Sequence, residues 1–154
     1  MSIFYKEESY SKFTHKEMLN ILGDYSPSWG EVNYFAFDVP SVEFHIELFN
    51  RLHQKAASEK KTYENGNFTV TKNNISSFDG WLIQEDSKNT VDNNHVNLNR
   101  GYTDKSMSTY IRNYIDHPGD DRTLPVGKQR QKPTMEEIRK SIESMIYIYK
   151  NNFN

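Results

Sequence analysis

Residues 110–120 read YIRNYIDHPGD. Within them, Arg112, Asn113 and His117 are the side chains best suited to chemistry on a phosphodiester. A histidine gives or takes a proton near neutral pH. An arginine holds a phosphate through its planar fork and stabilises the charge that builds up during displacement. Asn113 adds a neutral amide beside the arginine. Such a set suits cleavage of RNA by its own 2′-hydroxyl, a reaction that requires no metal or cofactor. Arg112 and His117 are five residues apart, so a straight helix turns them roughly 140° away from each other. Pro118 biases His117 out of the helical region, and a bend there swings the imidazole back toward the arginine. The competing reading is an ordinary helix end, with Arg112 in solvent and His117 capping the last carbonyls, where a cation is favoured.

The elements that must position this stretch are legible around it. Asp104 is a suitable N-cap, and Met107, Tyr110, Ile111, Tyr114 and Ile115 share one broad face, which predicts a helix over 104–117. Pro118-Gly119 ends it. After an acidic-then-basic loop, Thr134-Met135-Glu136-Glu137 forms a capping box. It launches a second helix over 134–150, with Ile138, Ile142, Met145, Ile146 and Tyr149 at core spacing and Lys150 in its last turn. An antiparallel pair of these two helices is the expected architectural kernel.

Three further segments complete the reading. Thr14 to Glu17 is another capping-box pattern, followed by Met18, Leu19 and Leu22 and stopped by Gly23. Tyr34 to Phe37 is β-prone and closed by Pro40, which predicts a short strand or extended segment. Ser41 opens a helix in which Val42, Ile46, Phe49 and Leu52 repeat at helical spacing and Leu48 widens the stripe, fading into solvent beyond Leu52. Residues 61–103 are rich in Asn, Ser and Thr and read as an insertion or long loop. Asn65-Gly66 before the alternating Phe68-Thr69-Val70 signals a hairpin within it, and FDGWLIQ holds the other apolar cluster. The expected fold is mainly α with minor β: a single domain built as a small helical bundle with a β-prone, loop-rich middle.

Bulk composition narrows the function. The chain has 154 residues, enough for one domain with one core. Hydrophobic residues are only 35%, yet 14% are aromatic, which argues against disorder and for a modest core. A net charge of −2 does not suit a free-standing, salt-driven nucleic-acid binder, although an enzyme that handles RNA briefly fits. The absence of cysteine removes disulfides, thiolate zinc sites and a cysteine nucleophile. No apolar run reaches the ~20 residues a membrane helix needs, and the polar start MSIFYKEESYSKF does not read as a signal peptide. The cytoplasm is the expected compartment.

Other candidates carry weaker signals. His45 and His53 are eight apart on one predicted helix face, with Glu43 and Glu47 nearby; a metal site is conceivable, and a plain helix face is the simpler account. Trp29 and Trp81 could anchor a partner or fill small satellite cores. Lys128, Arg130 and Lys132 could guide an RNA backbone, and they are also what a solvated loop before a helix looks like.

The run Arg112-Asn113-Tyr114-Ile115-Asp116-His117 resembles the R-x4-6-H motif of the HEPN family (higher eukaryotes and prokaryotes nucleotide-binding), in which a polar residue, commonly asparagine, follows the arginine. The resemblance implies a small helical bundle. It implies a metal-independent endoribonuclease, of the kind found in toxin–antitoxin, abortive-infection and CRISPR-linked systems. It also implies a homodimer whose two motifs face each other across one site. Arg112 and His117 would then be catalytic, with Asn113 supporting them. More loosely, residues 104–150 are similar to the C-terminal ends of ATPases in bacterial anti-phage systems, which implies a role beside a defence ATPase. The expected function is thus an RNA-cleaving effector of bacterial or phage defence. The alternative is a non-catalytic small subunit or antitoxin-like regulator that binds a defence ATPase or a toxin.

Overall fold

A computed structural model describes residues 28–88, 97–99, 104–116 and 132–153. The fold is mainly α with minor β. In chain order it comprises α1 (Trp29–Phe37), α2 (Val42–Ser58), β1 (Thr62–Tyr63), β2 (Phe68–Thr69), α3 (Ile75–Asp86), β3 (Asn97–Asn99), β4 (Asp104–Ser106), α4 (Met107–Asp116) and α5 (Met135–Asn152). The capping box at Thr14 and the helix expected after it lie outside the described residues.

The segment Tyr34–Phe37, expected as a strand, is the second half of α1. The deciding signal lies upstream. Ser28 Oγ accepts from the Glu31 N–H at 3.1 Å, and the Glu31 carboxylate accepts from the Ser28 N–H, a complete capping box. Once the helix is nucleated, Tyr34 and Phe35 bury against Phe44, and this packing outweighs their β-propensity. Gly30 permits the close approach of α1 to α2, since a Cβ there would sit 2.8 Å from Phe44 Cβ and 3.0 Å from its backbone. Asp38 ends α1 in the left-handed region at φ 56°. Arg139 of α5 clamps that turn by pairing with the Asp38 carboxylate and donating to its carbonyl at 3.0 Å.

Among the described residues α2 is central and contacts the four other helices. Its Ser41 cap accepts from the Phe44 N–H at 3.1 Å. The buried stripe is Phe44, His45, Leu48, Phe49, Leu52 and Ala56, so it continues past Leu52, and Val42 and Ile46 flank it, half-buried. The expected pair of C-terminal helices is in contact, but the most extensive helix contact joins α2 to α5.

Residues 61–88 are not a loop. The hairpin predicted from Asn65-Gly66 forms, pairing Thr62 with Thr69 and Tyr63 with Phe68, with positive φ at Glu64, Asn65 and Gly66. Asn74 then caps α3, accepting from the Ser77 N–H at 3.2 Å, and α3 delivers Phe78, Trp81 and Leu82 to the core. Gly80 lets the Tyr63 ring lie directly on the helix, where a Cβ would meet the ring at 2.4 Å. The helical spacing of Ile75, Phe78 and Leu82 is hidden in the sequence by buried polar neighbours, Ser77, Asp79, Glu85 and Asp86. Trp81 is core, whereas Trp29 is 78% exposed.

α4 starts later than Asp104 suggested. Residues 104–106 pair with 97–99 as an antiparallel ladder, and Ser106 is the cap, its Oγ accepting from the Thr109 N–H at 3.1 Å. The Thr134 capping box of α5 forms as expected. α5 buries Ile138, Ile142, Met145, Ile146 and Ile148. Among the described residues no helix is long and apolar enough to cross a membrane.

Candidate functional site at the end of helix α4

The first half of α4 is locked into the core. Asp79 of α3 is buried, and its Oδ1 accepts from the Ser106 N–H at 3.1 Å and from the Ser106 hydroxyl at 2.6 Å. Two residues on, Ser108 Oγ lies 2.7 Å from Ser141 Oγ of α5, which lies 2.7 Å from His45 Nε2 of α2. This hydroxyl chain ties three helices together. His45 is fully buried and its Nδ1 has no hydrogen-bond partner. Burial pushes its pKa down to about 3, so the ring is neutral in the folded protein.

These contacts dispose of the metal site considered for His45, His53, Glu43 and Glu47. His45 is enclosed by the core, while His53 stacks on Phe78 at 4.6 Å and bonds the Thr71 carbonyl at 2.9 Å. Two histidines eight apart need not converge when one faces the core and the other is held at its edge. No metal-binding group of three or more His, Asp or Glu side chains occurs among the described residues.

The second half of α4 carries the predicted chemistry. Arg112 and Asn113 are adjacent and half-buried, and Arg112 Nη1 donates to Asn113 Oδ1 at 3.1 Å. Arg112 Nη2 lies 3.1 Å from Asp116 Oδ2. The structure therefore brings together Arg112, Asn113 and Asp116. His117, Lys128 and Arg130 lie outside the described residues. Asp116 stands one turn beyond the arginine with which it pairs. The i, i+4 spacing was the available signal.

Lys132 is exposed and stands at the rim of a groove of about 170 Å³. Its walls are Val42, Ile111, Tyr114, Ile115, Pro133 and Ile138. At ~100° per residue, the α4 face that lines this groove is adjacent to the one carrying Arg112, not the same. The arrangement thus offers two neighbouring surfaces: an oriented guanidinium with an amide beside it, and an apolar cleft with one cation at its edge. No family model matches the chain, and neither a curated protein nor a solved structure is significantly similar to it.

Proposed function

We propose that the chain is a metal-independent endoribonuclease effector of bacterial or phage defence, acting through Arg112, Asn113 and His117. The observation that carries this reading is the state of Arg112. Its side chain is 28% exposed one turn before the end of a helix whose start is buried, and the Asn113 amide oxygen accepts from its Nη1. A guanidinium so held presents donors to an incoming phosphodiester without first having to be ordered.

In the proposed reaction His117 takes the proton from the 2′-hydroxyl. The 2′-oxygen bonds to phosphorus as the bond to the 5′-oxygen breaks, and solvent water protonates the leaving oxygen, the proton on His117 then returning to solvent. The products are a 2′,3′-cyclic phosphate and a 5′-hydroxyl. Arg112 neutralises the non-bridging oxygens as charge accumulates. Lys128, Arg130 and Lys132 would guide the flanking backbone. A homodimer would set two such turns across one site.

The apolar groove favours a second reading, a non-catalytic subunit that binds a defence ATPase or a toxin through that face. Expressing the wild type and His117→Ala in bacteria separates the two. Growth arrest with fragmented RNA for the wild type and neither for the variant supports the enzyme. If both are harmless and both retain the same partner, the subunit reading stands and the enzyme reading falls.

A further inference from the structure

Asp116 is the last residue of α4, and no basic residue stands in that last turn. A helix tolerates a carboxylate least at this end, because its unpaired carbonyls already carry partial negative charge. The one cation that the described contacts give Asp116 is Arg112, at 3.1 Å. The other arm of the same guanidinium is engaged by the Asn113 amide oxygen at 3.1 Å. Each terminal nitrogen of the fork thus meets an oxygen, one of them anionic, as it would on binding a phosphodiester. The pair is accessible, with the two side chains 28% and 38% exposed. An i, i+4 ion pair this open to water is weak and exchanges readily. A local arrangement that opposes the helix dipole, beside residues suited to phosphate chemistry, is where a functional reason is to be sought.

We infer that Asp116 is an internal competitor for phosphate: its carboxylate occupies the Arg112 fork in the free protein and is displaced when an RNA phosphodiester binds. This rests on the phosphodiester-binding reading above. Once displaced, the carboxylate also repels the phosphate that replaced it. Asp116 therefore raises the threshold at which RNA engages the site. A strand that makes further contacts along the protein passes that threshold; an isolated phosphate does not.

The test is binding without cleavage. A fluorescent 2′-O-methyl oligoribonucleotide keeps the phosphates and removes the nucleophile, and its anisotropy is followed with the wild type, Arg112→Ala, Asp116→Asn and the double variant. Arg112→Ala should weaken binding about 10-fold or more, the scale of a lost charge-assisted contact. Asp116→Asn should tighten it about 3-fold, the scale of one half-exposed ion pair, and the gain should vanish when Arg112 is absent. Removing a charge from the wrong helix end leaves the fold intact, which thermal melting by circular dichroism verifies. If Asp116→Asn binds no better than the wild type while Arg112→Ala binds worse, Asp116 merely positions the arginine and the inference is overturned. The same holds if the gain persists without Arg112, since net charge then explains it. If the wild type fails to bind and Arg112→Ala changes nothing, the phosphodiester reading falls as well.

Discussion

The two halves of α4 use polar side chains in opposite ways. In the first, Ser108 and Thr109 and the capping Ser106 just before them are at most 1% exposed, and Ser106 and Ser108 bond across to α3 and α5. In the second, Arg112, Asn113 and Asp116 are half-buried or exposed and bond to one another. A buried hydroxyl without its partner carries the full cost of desolvation, so the first half is pinned in one place. Exposed charges stay solvated and their pairing is cheap to break. One end of the helix thus fixes a position, and the other presents groups free to exchange partners. Reactive groups set on a rigid support are the arrangement that recognition of a small anionic centre requires.

If this contrast is right, changes in the first half should act on stability and changes in the second on binding. The largest effect is expected from Ile111→Ala, which empties a fully buried site between α4 and its neighbours; urea titration should show a loss of about 3 kcal/mol. Asp79→Ala strands the Ser106 N–H and hydroxyl and should cost about 2 kcal/mol by the same titration, with Asp79→Asn restoring most of it because an acceptor remains.

Acid should come next. The unfolded chain takes up a proton on His45 near pH 6.5, whereas the folded protein keeps that ring neutral down to about pH 3. The unfolded state therefore binds more protons, and the stability that is complete above pH 6.5 drains away as pH falls. Between pH 7.5 and 5.5 this one group should remove roughly 1.4 kcal/mol. His45→Gln should lack that part of the slope in paired denaturation curves. The smallest effects on stability are expected at the other end, where Arg112→Ala and Asp116→Asn should each shift the urea midpoint by no more than about 0.5 kcal/mol equivalent. An Arg112→Ala penalty as large as that of Ile111→Ala would erase the contrast.

The same division explains what could be read from the sequence. α5 was legible because its capping box and its apolar period agree: Thr134 and Glu137 start what Ile138, Ile142 and Ile146 continue. Tyr34–Phe37, expected as a short strand or extended segment, is helical because Ser28 and Glu31 nucleate α1 upstream of the β-prone aromatic residues. α3 falls within the stretch expected as an insertion or long loop, because its buried Asp79 and Asp86 look like surface residues until Ser106 and Ser144 supply their partners. Those partners are 27 and 58 residues away, beyond any local pattern. At the candidate site the order was reversed. Arg112 and Asn113 stand out by type and adjacency, while the ion pair of Asp116 with Arg112 appears only once the helix sets it one turn beyond the arginine. The His45 chain through Ser141 to Ser108 leaves no sequence signature at all, since it joins three helices that only the fold brings together.

The central claim is that the end of α4 holds a phosphate for cleavage by RNA's own hydroxyl. The most direct measurement incubates purified wild type, Arg112→Ala and His117→Ala with a defined single-stranded RNA in excess EDTA and identifies the new ends by mass spectrometry. The account predicts cleavage by the wild type alone, leaving 2′,3′-cyclic phosphate and 5′-hydroxyl termini, with each variant slower by about 100-fold or more. Intact RNA with the wild type, or equal cleavage by Arg112→Ala, would contradict it.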